Sequence, residues 1–327
     1  MLWAPAVFVA RRLAEGAGTL ITVVVVTFIL IHVAPGDPAI YAAGISAPPG
    51  FLVQLRHQMG LDQPIPIQLL IYLKTVLHGD FGYSYFWNTP VNAIILSRLP
   101  ATLLLIATSW VISTVGGVVI GVLAARAPFT KRDGAFMMMS LAAYSIPQFW
   151  VGILLILLFG VWLGWLPTQG IITSGADYTG ITAILDVGEH LILPALALGL
   201  TDLAIFSRVT RISVLEVSGE DFIRTARSKG ISENDVFVKH ALRNALLPLV
   251  TLIGIRFRNL IAGAVLIEAI FSWPGVGLLT LQSLTSRDYP LILAITFWAA
   301  ALVVAGNFLT DVVYRFVDPR VGTGASR

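Results

Sequence analysis

The chain has 327 residues, of which 57% are apolar and 12% charged, with a net charge of +3 and no cysteine. A soluble domain carries about 25% charged residues, and half that supply cannot clothe a globule of this size, which excludes a soluble enzyme, a disordered chain and a nucleic-acid-binding module. The absence of cysteine excludes disulfides, thiolate metal sites and a cysteine nucleophile, and the five histidines are scattered with no pair at i, i+4.

Hydrocarbon offers the backbone no hydrogen bonds, so a spanning helix needs about 20 largely apolar residues. In chain order, six stretches qualify: 17–34, 101–125, a third within 136–161 that contains Pro147, 190–206, 249–270 and 291–313. The fourth is short and carries Asp202. Arg11 and Arg12 precede the first, but its apolar run exceeds a signal-peptide core and no A-x-A site follows, so an uncleaved span is expected. The expected class is therefore an all-α polytopic membrane protein with six transmembrane helices.

Basic residues set the orientation. With both termini inside, fifteen of the 21 Lys and Arg fall in inner segments. Arg56, Lys74, Arg98 and Arg287 fall outside, and Arg256 and Arg258 lie within the fifth span. Trp150, Trp162, Trp165, Trp273 and Trp298 lie mostly toward the expected outer ends, as an aromatic belt does.

Two segments leave the membrane. Residues 35–99 lie outside and begin with the turn-rich Ala-Pro-Gly-Asp-Pro-Ala run. Amphipathic helices are expected around 51–59, 67–77 and 91–99, forming a cap on the outer leaflet or a docking surface. Residues 208–247 lie inside and hold seven basic and five acidic residues. They read as helix, Gly230, helix: Gly230 ends the first, and Ser232 caps the second with Asp235 three residues on. Phe222, Ile223, Val236 and Phe237 would be carried into water, which points to a partner surface. No phosphate-binding P-loop, H-E-x-x-H or G-x-S-x-G motif is present, so neither an energy source nor a hydrolytic site is visible in this chain.

The segment from Arg224 through Thr225, Ala226 and Lys229 to Gly230, followed by His240-Ala241-Leu242-Arg243-Asn244 and Pro248, resembles the cytoplasmic loop of ABC importer permeases. More narrowly, it is similar to the first permease subunit of dipeptide, oligopeptide and nickel importers. Further matches run in order along the chain: Pro35-Gly36-Asp37-Pro38, Gly79-Asp80-Phe81-Gly82 with Ser84, Ser145-Ile146-Pro147, Phe271-Ser272-Trp273-Pro274-Gly275, and Asp318-Pro319-Arg320. The wider family has Glu-Ala-Ala before the loop glycine, where this chain has Arg224-Thr225-Ala226.

The resemblance implies the type I ABC importer permease fold. It implies a first transmembrane helix over 1–34, an extracytoplasmic loop over 35–99, a five-helix permease core over 100–316 and a cytoplasmic tail over 317–327. Implied partners are a second homologous permease, two cytoplasmic ATPases, an extracytoplasmic binding protein and the lipid bilayer, with no nucleic acid. ATP and magnesium belong to the ATPases; this chain holds no cofactor or metal. The implied place is a bacterial or archaeal plasma membrane, with both termini cytoplasmic and peptides as cargo. Phe222, Thr225, Ala226, Lys229, Gly230, Ser232 and Arg243 are the expected ATPase-coupling residues.

Charged residues inside spans are expensive and mark pairs or pathways. Asp202, Arg256, Arg258 and Asn259 are the candidate pathway residues. Arg256 and Arg258 are about 200° apart around a helix, whereas Arg256 and Asn259 share a face. One arginine is expected to pair with Asp202 and the other to line a cavity. The same charges leave open an ion-coupled carrier or channel acting without an ATPase.

Overall fold

The computed structural model describes residues 3–33, 37, 39–40 and 48–317; the side chains of 3–6, 49, 247, 250–251, 253–255, 257–262, 309 and 312–317 lie outside that description. The sequence features at Pro35, Gly36, Pro38 and 318–320 also lie outside it. The chain forms two compact units, Met1–Thr102 with Pro274–Ala305, and Leu103–Trp273 with Gly306–Arg327.

Helix α1 spans Trp3–Val33, α2 Pro49–Gln58 and α3 Ile65–Leu77. A two-residue hairpin, β1 Tyr83–Ser84 and β2 Thr89–Pro90, pairs Ser84 with Thr89. Helix α4 follows as Val91–Arg126, with Pro100 inside it. The expected amphipathic helix at 91–99 and the second span are thus one continuous helix; the proline removes a single ladder bond and the flanking turns carry on.

Next come α5, Lys131–Ser145, and α6, Gln148–Leu155, which continues as a π-helix over Ile156–Trp162. Helix α7 spans Ile181–Ser218, and α8 Asp221–Ser228. Helix α9, Glu233–Asp235, passes through a π-helical turn, Val236–Leu242, into α10, Arg243–Ala245. Helix α11 spans Leu247–Ile270, α12 Val276–Ser286 and α13 Tyr289–Val317.

Among the described residues, four helical stretches are long and apolar enough to cross a membrane: Val7–Val33, Val91–Arg126, Ile181–Ser218 and Tyr289–Phe308. The pair α5 and α6 makes a fifth, bent by 106°. Within the third span expected at 136–161, Ile146 is extended (φ −90°, ψ 130°) because the ring of Pro147 disfavours a helical residue before it. Pro147 then caps α6. The 24-residue α11 occupies the place of the span expected at 249–270.

In the first unit, Phe81, Val91, Ile95, Leu279, Leu291 and Ile295 form a closed apolar cluster. Two buried polar contacts fix the elements around it. The Ser84 hydroxyl donates to Asp288 Oδ2, whose other oxygen accepts the Leu291 N–H at 3.3 Å. Burial pushes the Asp288 carboxyl above the usual carboxylate range, although these bonds favour its charged form. Thr102 Oγ1 accepts the Val276 N–H at 2.8 Å, satisfying one of the orphan donors at the start of α12.

In the second unit, α7 is the hub against which α5, α6 and α11 pack. The sequence shows a short fourth span, but this is the longest helix. At 1.5 Å per residue its 38 residues reach roughly 57 Å, well beyond a hydrocarbon core of about 30 Å. It tolerates Asp186, His190, Asp202, Ser207 and Thr210 because each is buried in protein rather than facing lipid. Trp273 is likewise fully buried, so it belongs to the interior and not to an aromatic belt; Trp162 and Trp165 are exposed.

Helix α4 approaches α7 through Gly117 and Gly121. A Cβ on Gly121 would stand 2.5 Å from both the Ser207 carbonyl and Thr210 Cβ, and one on Gly117 would strike Phe206. This is the small-xxx-small contact by which helices pack in lipid. Gly121→Val should therefore force the helices apart, and overpacking of this kind costs about 1–3 kcal/mol. The expected outcome is a melting midpoint in detergent lowered by several degrees, with less intact protein in the membrane. Gly134→Ala, where a Cβ meets nothing within 4 Å, should leave both unchanged.

Candidate functional site

The segment 221–245 folds as the helix–glycine–helix hairpin that the sequence suggests. Helix α8 turns Ile223 and Ala226 inward, where they pack with Val236 and Ala241. Gly230 takes φ +74° and its N–H bonds to the Arg227 carbonyl at 3.0 Å. Ser232 Oγ then accepts the Asp235 N–H at 3.2 Å, starting the next helix. Arg227 reaches across the turn to Glu233 with contacts of 3.0 and 3.3 Å. Lys239 lies 2.8 Å from Asp235 Oδ1, and this ammonium together with the Ser232 hydroxyl holds the Asp235 carboxyl below the usual carboxylate range.

The expectation that four apolar side chains enter water is corrected here. Ile223 and Val236 are buried inside the hairpin, and only Phe222 among the four stands exposed. Phe237 packs with Leu242 against a cluster of Ala125, Val214 and Ala245. The Arg126 guanidinium lies over its ring, 4.8 Å from the centroid, and donates to Asn234 at 3.3 Å. The second helix is also wider than its sequence suggests, with a π-helical turn between α9 and α10, a feature common at functional sites. Of the residues singled out as coupling residues, Phe222, Thr225, Lys229, Ser232 and Arg243 are exposed, while Ala226 is buried in the hairpin core.

Below the hairpin, α5 and α7 are joined by an ion pair absent from the sequence-based candidates. Asp133 at the start of α5 takes Arg211 of α7 in a two-pronged contact, Nε to Oδ1 at 2.5 Å and Nη2 to Oδ2 at 2.6 Å. Asp133 is buried and also accepts the Phe129 N–H at 2.8 Å. Such fork-to-fork pairs fix geometry as well as energy. The 78-residue separation hides the pair from any local pattern.

Deeper along α7, the expected pairing is present. Arg256 Nη1 lies 3.6 Å from Asp202 Oδ1, beyond hydrogen-bond range. Arg256 Nε and Asp202 Oδ2 are buried with no hydrogen-bond partner. The same Arg256 lines a cavity of about 460 Å³ between α5, α7 and α11, together with Met138, Ser140, Tyr144 and Arg208. Arg208, which also lines this cavity, is absent from the sequence-based pathway candidates. The side chains of Arg258 and Asn259 lie outside the described residues.

Residues 117–323 match the family described as binding-protein-dependent transport system inner membrane component, and residues 6–106 match its N-terminal companion. The chain is 40% identical over 317 residues to the oligopeptide transport system permease protein AppB of Bacillus subtilis, covering 97% of this chain and 99% of that protein. It is 38% identical over 314 residues to the glutathione transport system permease protein GsiC of Salmonella choleraesuis, covering 96% and 98%. Among solved structures, the MetNI methionine ABC transporter in an inward-facing form aligns with TM-score 0.54 at 18% identity, covering 69% of this chain and 96% of that one. An amino acid ABC transporter aligns with TM-score 0.52 at 14% identity. At such identities these structures speak for the fold alone, a helical ABC permease fold. The chain belongs to the binding-protein-dependent transport system inner membrane component family, the multi-pass, non-catalytic permeases of ABC importers.

Proposed function

We propose that this chain is one permease of an ATP-driven peptide importer, paired with a second homologous permease, two cytoplasmic ATPases and an extracytoplasmic binding protein. Its named relatives support peptide cargo. ATP and magnesium bind on the ATPases, and this chain carries force rather than chemistry. The observation that carries the reading is the hairpin: it has its own core, a capped turn at Gly230 and a fixed seat under Arg126. A flexible loop would dissipate an ATPase's motion, whereas this joint passes it to α7. Phe222, Thr225, Lys229 and Arg243 present the contact surface. Membership of this family gives no support to an ion-coupled carrier acting alone.

In this reading both termini and the hairpin are cytoplasmic, residues 35–99 form the extracytoplasmic loop, and residues 100–316 form the permease core. Arg256, held loosely by Asp202, lines the translocation pathway with Arg258 and Asn259 on the same helix.

The joint is tested at Gly230, where a Cβ meets nothing within 4 Å and only the backbone conformation resists substitution. Val at φ > 0 costs about 1–2 kcal/mol, whereas Asn visits that region readily. Gly230→Val should lose most peptide uptake and most stimulation of the ATPases at normal membrane abundance, and Gly230→Asn should keep both. Normal uptake and stimulation in Gly230→Val would reject the coupling role.

Orientation is open to cysteine labelling, since the chain has no cysteine. A Ser174→Cys variant should react with an impermeant maleimide on intact cells, and Ser228→Cys only after the inner face is exposed. The reverse pattern inverts the topology.

For the pathway, Arg256→Gln should reduce transport several-fold while the complex still assembles. Unchanged uptake in assembled Arg256→Gln removes this residue from the pathway.

A further inference from the structure

The first unit contains a second cavity, of about 360 Å³, within the size range of small-molecule pockets, about 300–1,000 Å³. Its floor is aromatic. Phe28 stacks on His32 and Tyr72, with ring centroids 4.0 and 6.0 Å apart. Its rim carries Tyr83 and Tyr85, packed edge to face at 5.6 Å.

Most polar groups on the wall already have partners. His32 sets Nδ1 2.8 Å from the Phe28 carbonyl and Nε2 3.1 Å from Gln68 Oε1. The Gln68 amide nitrogen donates to the Gln63 carbonyl at 2.7 Å, and the Tyr83 hydroxyl to Asn88. The Tyr72 hydroxyl is buried and unpartnered. Asp80 turns Oδ1 to the Gly82 N–H at 2.9 Å, which closes the local turn and occupies one of its two oxygens. Among the lining residues, Asp80 is the sole Asp, Glu, Lys or Arg.

A carboxylate beside electron-rich ring faces attracts an organic cation, because the ring quadrupole and the full charge act in the same direction. An anionic ligand would meet Asp80 and no lysine or arginine. The enclosed part is apolar enough to take a hydrocarbon or ring.

We propose that this cavity binds a primary ammonium group carried on an apolar or aromatic body, with the ammonium held between Asp80 and the tyrosine rim and the body against Phe28 and Tyr72. Two sources carry such a group: a soluble amine such as a peptide amino terminus, and the ethanolamine headgroup of a membrane lipid.

The test uses the full chain in nanodiscs of phosphatidylcholine and phosphatidylglycerol, which carry no primary amine, with phenethylamine and its N-acetyl derivative titrated by calorimetry. Phenethylamine should bind about tenfold or more tightly than the neutral derivative, a ratio within reach of one part-buried cation contact. Asp80→Asn keeps the acceptor for Gly82 and should erase that difference. Loss of phenethylamine binding in nanodiscs that contain phosphatidylethanolamine supports the site as a lipid site, and displacement by the dipeptide phenylalanylalanine supports it as a site for soluble amines. Equal binding of the two probes, no binding of phenethylamine to the wild type, or an unaltered preference in Asp80→Asn overturns the proposal.

Discussion

Helices α4 and α7 approach closely wherever one of them presents a glycine, and the second unit depends on that contact. Lipid tails are as apolar as leucine, so no hydrophobic drive holds one span against another. What remains is dispersion at short range, which falls away within an ångström of extra separation. Gly199 lies against the Ser109 backbone, Gly117 against Phe206 and Gly121 against Thr210. As one chain advances so does the other, so the two helices run parallel, locked along three turns. Once α7 is fixed, its other faces organise the rest: Ser207 and Arg211 take α5 through Ser140 and Asp133, and the Leu198 carbonyl takes Gln148 at the start of α6.

The hairpin inherits its rigidity from the same axis. Val214 of α7 and Ala125 of α4 share one cluster with Ala245 of the hairpin. The exposed Arg227 pair adds little by itself, as exposed pairs do. The turn is held instead by its buried apolar core, its cap and its left-handed glycine. This division suits a mechanical part: apolar packing provides stiffness, and the charged surface stays free to meet another protein.

Much of this was legible in the sequence, and the failures have a common cause. Gly230, the Ser232 cap and the general helix order follow from local rules that act over three or four residues. Helix α7 was underread because hydropathy measures fitness for lipid, and this helix faces protein. Its Asp202, Ser207 and Thr210 depress the apolar signal where neighbouring helices satisfy them. The opposite error made Trp273 an interfacial residue, since sequence shows amphipathic aromatics but not what covers them. Asp133 with Arg211, and Arg126 with Phe237, join positions 78 and 111 residues apart, and no periodicity reports such pairs. The bend at Ile146 follows from Pro147, whose effect on its predecessor is local.

Parallel packing of α4 and α7 has an electrostatic consequence. Helix dipoles laid side by side in the same sense do not cancel, so both negative ends emerge at one face. Arg126 stands in the last turn of α4, where a cation gains about 0.3–1 kcal/mol from the unpaired carbonyls at a surface site. That field holds the guanidinium near the axis while its face covers Phe237 and its edge reaches Asn234. The seat of the hairpin is therefore partly a charge–dipole bond. Salt screens such bonds within about 10 Å at 0.1 M, so the grip of the spans on the hairpin should loosen as ionic strength rises, with the glycine contact between the helices unaffected.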